Sequence, residues 1–395
     1  MDRAYDYLIV GGGVSADAAA RGIRTEDTDG SILIVSADVD APYDRPPLSK
    51  GAWTDPDFTA DQLPLKTAEE TGAEVVTGEP VAEVHPVTHH VTTGSGRAIG
   101  YGELLLATGG TPRTLPGLPA GERVFAYRSA DDYRRLRARV TPGTTVVVIG
   151  GGFIGTELAG SLSKVGATVT LVTPDPILAA KTLGPQLGAE LGRRYGKALD
   201  LRTGRRVTAG TADDAGVGVT LDDGTQVHAD LAVLGLGITP NQQLAADAGI
   251  GVNDGVEVDA QLRTSAPHVW AAGDVAEYPD AILGRRRVEH VDHAQHSGRQ
   301  AGRNMAGAGE TYGYTPFFWS DLLDDGYEAI GRIDASLEIV ADWHEPLAEG
   351  ILYYLRPDGV PLGVLTWNTY GHVDAARELL AAGEPLDRAN LPTLG

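Results

Sequence analysis

The sequence predicts an α/β protein with two dinucleotide-binding domains of the Rossmann type. The first observation is a short apolar strand, residues 8–10, that runs into glycines 11–13 and then into an alanine-rich helical segment. The second is a repeat of this pattern, in which strand 145–149 runs into residues 150–155 and another helix. The third is that later apolar strands also end in small residues. Strand–glycine turn–helix units bind dinucleotides because the turn lets backbone approach the diphosphate, so two units imply two nucleotides.

Length and charge limit the function classes. A chain of 395 residues has room for two or three domains. Its net charge is -22, from 32 basic and 54 acidic residues. Such a surface repels phosphate backbones and argues against nucleic-acid binding. No apolar run approaches the roughly 20 residues that span a bilayer. The first strand begins too early to leave room for a signal peptide, so we expect a cytoplasmic protein.

The chain contains no cysteine. It therefore cannot form a disulfide, hold an iron–sulfur cluster on its own thiolates or carry a redox-active CxxC pair. Any electron chemistry would need a bound cofactor. Histidines 290, 293 and 296 are spaced by three, which does not form a compact ligand face on a helix, so no metal site is predicted.

In the first glycine loop, Gly11 allows the tight turn and Gly13 lets backbone approach a pyrophosphate, which the following helix N-terminus also attracts. Ala16 stands where a third glycine is usual. The next strand, residues 31–35, leads to Asp38, which is available to accept a hydrogen bond from a ribose. Ala37 occupies the place where an acidic residue is first expected.

The second loop has all three glycines of the GxGxxG pattern, at Gly150, Gly152 and Gly155. The following strand, residues 168–173, leads to Asp175, the candidate acceptor for a ribose hydroxyl. No arginine lies between Gly155 and Lys181 to hold a 2′-phosphate. The spacing therefore favours NADH over NADPH as the second nucleotide.

Other segments carry candidate ligand contacts. Residues 42–50, PYDRPPLSK, are predicted to be a rigid extended loop, because proline does not enter helices or central strands. Residues 103–110 form a buried strand with small residues at its end, which a flat ligand can approach. Residues 267–275 form a strand that ends in Ala-Gly-Asp and offers Asp274 to nucleotide hydroxyls. Arginines 285–287 either bind an acidic partner or lie solvated on a hairpin.

From Tyr314 onward the pattern changes to short alternating segments. Residues 328–332, 337–341, 350–355 and 360–367 are predicted to be antiparallel strands, followed by a helix over Val373–Ala382. The chain therefore ends in an α+β domain.

The order of these motifs resembles the flavoprotein disulfide-reductase superfamily, and without cysteines it is similar to the ferredoxin- and rubredoxin-reductase type. Residues 32–50, 107–113, 150–159, 283–294, 317–322 and 326–331 resemble the apoptosis-inducing-factor branch. The resemblance implies a glutathione-reductase-type fold. Its domains would be a discontinuous FAD-binding domain (1–116 and 242–313), an NAD(P)H-binding domain (117–241) and a C-terminal α+β interface domain (314–395).

The resemblance also implies site residues. Lys50 would pair with Glu157 near the reactive nitrogen of the flavin, and His290 would lie by the flavin and nicotinamide, so these three are the catalytic candidates. The other FAD-side candidates are Gly11, Gly13, Ala16, Asp38, Arg45, Ala107, Thr108, Gly109, Arg113, Gly273, Asp274, Glu289, Phe318 and Trp319. The NADH-side candidates, besides Glu157, are Gly150, Gly152, Phe153, Ile154, Gly155, Asp175 and Gly237. Ala16, Asp17 and Ala37 depart from the family pattern and leave open a weaker FAD affinity or a shifted adenine end.

The function that the resemblance implies is hydride transfer from NADH to FAD, with electrons passing to a small iron–sulfur protein or a quinone. One alternative is a slow-turnover flavoprotein that senses NADH and changes conformation or oligomeric state when reduced. The C-terminal domain of the family often makes dimer contacts, so a homodimer is expected. The basic surface that the animal proteins use for DNA is absent.

Overall fold

The computed structural model describes residues 3–389, 391 and 392. The helices are α1 (Val14–Glu26), α2 (Gly51–Thr54), α3 (Thr67–Thr71), α4 (Ala130–Arg137), α5 (Phe153–Lys164), α6 (Gly184–Ala198), α7 (Gln243–Asp247), α8 (Val291–Met305) and α9 (Val373–Ala382). Short 3-10 turns lie at Pro46–Ser49, Ala60–Gln62 and Gly273–Val275. Among the described residues, none of the helices combines the length and apolarity needed to cross a bilayer.

The strands fall in three stretches of the chain. The first contains β1 (Arg3–Val10), β2 (Ile32–Val35), β3 (Glu74–Val76), β4 (Val81–His85), β5 (His90–Thr93), β6 (Ala98–Leu106) and β7 (Gly110–Pro112). The second contains β8 (Val124–Phe125), β9 (Thr145–Ile149), β10 (Thr168–Val172), β11 (Asp200–Arg202), β12 (Val207–Asp213), β13 (Gly216–Leu221), β14 (Gln226–Ala229), β15 (Leu231–Leu234) and β16 (Ile238–Pro240). The third contains β17 (Val252–Asn253), β18 (Gly255–Glu257), β19 (Val269–Ala271), β20 (Ala276–Asp280), β21 (Gly284–Arg286), β22 (Phe317–Leu322), β23 (Asp325–Gly331), β24 (Glu338–Glu345), β25 (Glu349–Leu355) and β26 (Pro361–Trp367).

By its internal contacts the chain forms two compact units. Unit 1 contains the chain up to Pro46, Thr59–Thr111 and Thr239–Pro316, and unit 2 contains Pro47–Phe58, Pro112–Ile238 and the chain from Phe317 onward. The division into three domains that the sequence predicts stays a prediction.

The sheet of unit 1 has the order β3-β2-β1-β6-β5-β4. Strand β19 also pairs with β6, along the edge of β6 that faces away from β1. β1, β2, β3, β6 and β19 run parallel, and β4 and β5 are antiparallel. The central strands are buried on both faces, which is why they read as continuous apolar runs. Their carboxyl ends meet at one edge, where the first glycine loop begins.

Helices α1 and α8 of unit 1 pack with their backbones in direct contact. A Cβ atom added at Gly302 would lie 2.1 Å from the carbonyl oxygen of Ala19, and one at Gly298 would lie 2.4 Å from that of Ser15. A Cβ at Gly22 would lie 2.2 Å from the carbonyl oxygen of Arg299. Only glycine allows this separation between the two helices, so these three positions fix how α8 supports α1.

Unit 2 contains a second parallel sheet, in the order β11-β10-β9-β15-β8, and a three-stranded antiparallel sheet, β12-β13-β14. Its last part is an antiparallel sheet of order β22-β23-β26-β25-β24, followed by α9. The predicted C-terminal strands and the helix at Val373–Ala382 are confirmed, with shifted strand boundaries.

Several expectations about local structure were wrong. Pro46–Ser49 forms a 3-10 turn rather than an extended loop, because proline is tolerated at the start of a helical turn, where its missing N–H is not needed. Residues 317–322, which the sequence analysis used only as a motif, form the edge strand β22. Helix α5 begins at Phe153, inside the glycine loop, rather than at Thr156.

Candidate functional site

The two glycine loops have the same construction. Gly11 has φ +118°, and a Cβ there would lie 2.1 Å from the carbonyl oxygen of Ala107. Gly150 has φ +117°, and its Cβ would lie 2.2 Å from the carbonyl oxygen of Gly235. The helices then begin at N-cap residues Gly13 and Gly152, which have no side chain to cap the first amides. Each loop therefore presents helix N-terminal amides to an anion.

The third position differs between the loops for a steric reason. A Cβ at Gly155 would lie 1.9 Å from the carbonyl oxygen of Gly150, so only glycine fits there. Ala16, at the matching place in the first loop, is fully buried with its methyl group accommodated. Alanine is an accepted third residue in this motif, so Ala16 does not disturb the loop.

The Asp17 carboxylate is not an unpaired negative charge beside the diphosphate-binding loop. Its carboxylate accepts hydrogen bonds from the Thr67 hydroxyl at 2.7 Å and from Arg21 Nε at 2.9 Å. Arg21 supplies a positive charge that Asp17 shares with Glu70. The acidic residue that the sequence analysis singled out is therefore hydrogen-bonded and ion-paired within unit 1.

Arg45 lies beside the first loop with a donor unused. Its Nε is buried and has no hydrogen-bond partner among the described residues, and its Nη2 lies 4.0 Å from the position of a Cβ on Gly13. The guanidinium carbon lies 5.8 Å from the centroid of the Tyr43 ring. An unsatisfied buried donor on a cation is costly unless an anion completes it. The residues present thus fit a dinucleotide diphosphate at this loop.

We expect Arg45→Met to weaken FAD binding by roughly 10- to 100-fold, because one charge-assisted hydrogen bond is worth about 1.5–3 kcal/mol. Titration of the flavin-free protein with FAD would measure it. Arg263→Met, which removes an arginine paired with Asp259 elsewhere in unit 1, is the control and should bind FAD normally. Equal affinities of the Arg45 variant and the wild type would contradict the role of Arg45.

The strand end at Ala107–Gly109 is fastened by a residue that the sequence analysis did not include among its site candidates. Asn241 Nδ2 donates to the carbonyl oxygen of Thr108 at 2.9 Å, and the Thr108 hydroxyl donates to the Asn241 carbonyl oxygen at 2.9 Å. The Asn241 N–H also donates to the Gly109 carbonyl oxygen. No sequence pattern indicated this role for Asn241, which directly follows β16.

The Ala-Gly-Asp segment packs on the same end of unit 1. Gly273 has φ +73°, and a Cβ there would lie 2.1 Å from Ser15 Oγ, in the first turn of α1. Its N–H donates to Ser297 Oγ on α8 at 3.0 Å. Asp274 therefore follows a backbone turn that touches both helices. Three residues after the end of β2, Asp38 accepts a hydrogen bond from the Tyr43 hydroxyl at 3.1 Å, and its use for a ribose stays a prediction.

His290 is the N-cap residue of α8. Burial, with the Arg286 guanidinium adding, lowers the pKa of His290 to about 4, so the imidazole is neutral at pH 7. Its neighbour Glu289 accepts a hydrogen bond from Arg287 at 2.9 Å. A neutral ring at a helix start can pack beside a flat, uncharged ligand without requiring a counterion.

The arginine run lies at the predicted hairpin, β20–β21, and its side chains also make contacts within unit 1. Arg285 donates to the carbonyl oxygens of Glu277 and Val258, at 2.9 and 3.1 Å. Arg287 pairs with Asp254 and Glu289. These contacts give two of the three arginines partners within unit 1, and both alternatives considered from the sequence stay predictions.

His293 is a buried titratable group with no assigned role. It is fully buried, its Nδ1 lies 3.0 Å from the Tyr312 hydroxyl and its ring stacks on Tyr278 at 4.4 Å. Burial lowers the pKa of His293 to about 3. Among the described residues no group of three or more His, Asp or Glu side chains is arranged to hold a metal ion.

This pKa shift predicts acid sensitivity. Below pH 6.5 the unfolded chain takes up a proton that folded His293 refuses, so stability falls as the pH falls. Between pH 6.5 and pH 5 the loss is about 2 kcal/mol. Urea unfolding at pH 7.5 and pH 5 should show that His293→Gln loses less stability than the wild type, whereas a variant of the exposed His228 behaves like the wild type. Equal losses in the wild type and His293→Gln would contradict this prediction.

In unit 2, the predicted pair of Lys50 and Glu157 is part of a larger buried group. Lys50 Nζ donates to Glu157 Oε2 at 2.7 Å, and the carboxylate is 3% exposed. Ser49 Oγ donates to the same oxygen at 2.6 Å, and Ser320 Oγ donates to Oε1 at 2.6 Å. The sequence analysis did not identify the two serines, which lie inside the quoted PPLSK and FFWSDL motifs without any signal of their own.

The aromatic residues of β22 divide between two faces, because successive side chains of a strand alternate. Phe318 lies 5.4 Å from the ring of Phe153, at the start of α5, and contacts Tyr327 edge-on. Trp319 stacks on Phe317 on the other face. Phe153 and Ile154, at the start of α5, are 44% and 40% exposed.

The strand end that would face the ribose of the second nucleotide includes an arginine that the sequence spacing missed. The Arg205 N–H donates to the Thr173 carbonyl oxygen, and the Gly204 N–H donates to that of Asp175. Lys181 Nζ lies 3.6 Å from the Asp175 carboxylate. The parallel pairing of β10 with β11 brings this arginine beside the strand end. In the same unit Gly237, with φ +78°, accepts a hydrogen bond from the Arg113 N–H.

Comparison with known proteins places these features in a family. The family model for pyridine nucleotide-disulphide oxidoreductases matches residues 5–298, and that for the C-terminal part of mitochondrion-associated apoptosis-inducing factor matches residues 301–349. The chain is 32% identical, over 98% of both chains, to the ferredoxin–NAD(+) reductase component of the anthranilate 1,2-dioxygenase system of Burkholderia cepacia. It is 31% identical to mitochondrial apoptosis-inducing factor 1 of Dictyostelium discoideum, over 99% of this chain and 82% of that protein.

Among solved structures, the chain is similar to the reductase in the covalent putidaredoxin reductase–putidaredoxin complex, with a TM-score of 0.89 and 28% identity. The match covers 97% of this chain and 94% of that one. These comparisons confirm the predicted fold class and the family resemblance. The chain belongs to the pyridine nucleotide-disulphide oxidoreductase family and is an FAD-dependent NAD(P)H oxidoreductase of the ferredoxin-reductase type.

Proposed function

We propose that this protein takes electrons from NADH and delivers them to a separate small iron–sulfur protein of the ferredoxin or rubredoxin kind. The observation that carries the proposal is the pair of glycine loops of one construction, because each fits one dinucleotide. When bound, FAD supplies the hydride-accepting chemistry that no side chain of this cysteine-free protein can.

The residues of the chain would bind and orient the two dinucleotides and place a positive charge near the flavin. Arg45 and the amides at the start of α1 would hold the FAD diphosphate, and the loop at Gly150–Gly155 would hold the diphosphate of NADH. Lys50 would hold a positive charge where negative charge develops on reduction, and Glu157 would fix the Lys50 ammonium. His290, neutral at pH 7, would pack beside the flavin without adding a charge there.

The nature of the acceptor is supported by the relatives. Their names describe reductases that serve a ferredoxin and putidaredoxin, and a further relative is the rhodocoxin reductase of Rhodococcus erythropolis. The absence of cysteine means that any iron–sulfur acceptor must be a separate protein. The alternative of a slow NADH sensor has no structural observation in its favour, and a quinone acceptor stays a second prediction. Cytoplasmic location and a homodimer also stay predictions.

The visible spectrum of the purified protein and anaerobic titrations with NADH and NADPH would test the proposal. We expect a flavin spectrum, bleaching by NADH and rapid reduction of cytochrome c once a ferredoxin is added. A stable long-wavelength charge-transfer band with slow reoxidation would favour the sensor instead. A colourless protein that binds no FAD would overturn both.

The choice of NADH over NADPH is proposed from Asp175, whose carboxylate would accept hydrogen bonds from the ribose and repel a 2′-phosphate. Lys181 and Arg205 lie near this residue, but Arg205 Nε is paired with Asp223 at 2.8 Å. The negative charge of Asp175 would therefore decide the preference, and its removal would leave the Lys181 ammonium without this partner.

Accordingly, Asp175→Ala should lower kcat/KM for NADH by about tenfold and raise it for NADPH, since one hydrogen bond to a charged group is lost and one repulsion is relieved. Steady-state kinetics with both coenzymes measure the ratio. Asp200→Ala, at the start of the neighbouring strand β11, should leave the ratio unchanged. If the ratio in Asp175→Ala stays that of the wild type, another residue selects the coenzyme.

A further inference from the structure

Glu157 accepts hydrogen bonds from three segments that are distant in the sequence. Ser49 and Lys50 lie 108 and 107 residues before it, and Ser320 lies 163 residues after it. All belong to unit 2. Both serines are buried, with Ser320 fully inaccessible. The Lys50 ion pair is therefore set in a network of hydroxyl groups rather than standing alone.

The two carboxylate oxygens have different partners. Oε2 accepts hydrogen bonds from Lys50 and Ser49, whereas Oε1 accepts one from Ser320, its donor within the described residues. An ionised carboxylate has about four acceptor positions and only a broad preference for its terminal torsion. Because the two oxygens of an ionised carboxylate are equivalent, a second donor fixes the torsion of the carboxylate plane. The bond from Ser320 to one oxygen therefore sets the angle at which the other oxygen faces Lys50.

Ser320 and Ser49 are themselves held in place. Ser320 lies opposite Tyr327 in the antiparallel pairing of β22 with β23, which fixes its place on the strand. The Ser49 carbonyl oxygen accepts a hydrogen bond at 2.8 Å from Ser161, one turn beyond Glu157 on α5. Both donors thus approach the carboxylate from fixed directions.

We infer that Ser320 is a positioning residue for Lys50: it orients Glu157 so that Oε2 holds the Lys50 ammonium, and Ser49 assists from the same side. The C-terminal sheet thereby sets the position of a charge on a segment 270 residues earlier in the chain. That Lys50 serves hydride transfer rests on the proposed function, whereas its positioning by Ser320 does not.

The reactivity of Lys50 in the flavin-free protein tests the positioning directly. The chain has only five lysines, at positions 50, 66, 164, 181 and 197. Mass spectrometry can therefore measure, at each lysine, the extent of labelling by a small amine-reactive reagent. We expect Ser320→Ala to label Lys50 about tenfold faster than the wild type, with Lys181 unchanged, and Ser320→Thr to restore slow labelling. Wild-type labelling of Lys50 in Ser320→Ala would overturn the inference.

A second comparison separates positioning from general loosening. In a Glu157→Gln background Lys50 no longer has an ion pair to be positioned, so Ser320→Ala should add nothing to its labelling rate. An equal increase in both backgrounds would mean that the serine is merely structural. Should Ser320→Ala not fold, Ser49→Ala should label Lys50 faster in the same way, and a wild-type rate in that variant would overturn the inference.

Stopped-flow reduction of the FAD-loaded variants by NADH provides the functional readout. Ser320→Ala should be reduced several-fold more slowly, and Ser336→Ala, which removes a hydroxyl bonded to Asp334 elsewhere in unit 2, should match the wild type. A wild-type protein that NADH and NADPH fail to reduce would contradict the proposed function alone, since the labelling contrast would still decide the role of Ser320. Unchanged reduction together with unchanged labelling would overturn the role of Ser320.

Discussion

Lys50→Met will slow the reduction of bound FAD by NADH by roughly 100-fold, the usual effect of removing one preorganised electrostatic contact to developing charge. The ammonium of Lys50 is 2.7 Å from a carboxylate that is almost completely buried, so its charge is fixed rather than screened by water. Methionine keeps most of the length of the side chain and removes only the charge. Anaerobic stopped-flow measurement of the flavin absorbance gives the rate.

Lys164→Met is the matched control, because Lys164 pairs with Asp324 at the surface of the same unit. Its rate should equal that of the wild type. The Lys50 variant should also lose about 3–5 kcal/mol of stability, since it leaves the Glu157 carboxylate buried without a cation. Adding Glu157→Gln to Lys50→Met should recover much of that stability but not the rate. Wild-type reduction by Lys50→Met would remove Lys50 from the proposed mechanism.

The sequence predicts correctly those parts of the fold and site whose residues lie close together along the chain. The two glycine loops are of this kind, because the strand, the turn and the first helical turn lie within about ten residues and each needs a particular residue type. The C-terminal helix at Val373–Ala382 and the strands before it also follow from local periodicity. The three-domain division and the site residues taken from the family resemblance remain predictions.

What the sequence analysis missed depends on contacts between distant segments. Ser320 and Arg205 carry no local signal, and their importance comes from the seating of β22 against α5 and from the pairing of β10 with β11. Arg205 lies beyond the residues between Gly155 and Lys181, where an arginine for a 2′-phosphate is expected. The pairing of Asp17 also depends on a distant segment, because Thr67, fifty residues later, donates one of its hydrogen bonds. The sequence alone therefore shows Asp17 only as an acidic residue close to the first glycine loop.

The edge strand β22 shows a different limit. Its sequence, FFWSDL, has no polar–apolar alternation at its start, since both faces carry aromatic rings. Period-two patterns arise only when one face of a strand meets water. A strand whose two faces both pack against other groups cannot be distinguished by its pattern from a buried helical turn.

Gly302→Ala will destabilise the protein by about 3 kcal/mol, at the upper end of the usual cost of overpacking. The added methyl group would lie 2.1 Å from the carbonyl oxygen of Ala19, and the nearest atoms are all backbone, so no side chain can rotate away. Helices α1 and α8 must separate to admit it. Because α1 carries the first glycine loop at its start, FAD affinity should fall together with the melting temperature.

The same glycine-to-alanine change at Gly196 should raise the stability of the protein instead of lowering it. The comparison therefore separates the effect of the helix–helix contact from that of helix propensity. Gly196 lies near the end of α6 as Gly302 lies near the end of α8, but a Cβ there would meet nothing within 4 Å. Gly196→Ala should therefore stabilise the protein by about 0.5–1 kcal/mol through helix propensity alone. Thermal unfolding followed by circular dichroism, with FAD titration of each variant, measures both effects. If the two variants shift the melting temperature in the same direction, backbone contact between α1 and α8 is not what holds the first loop in place.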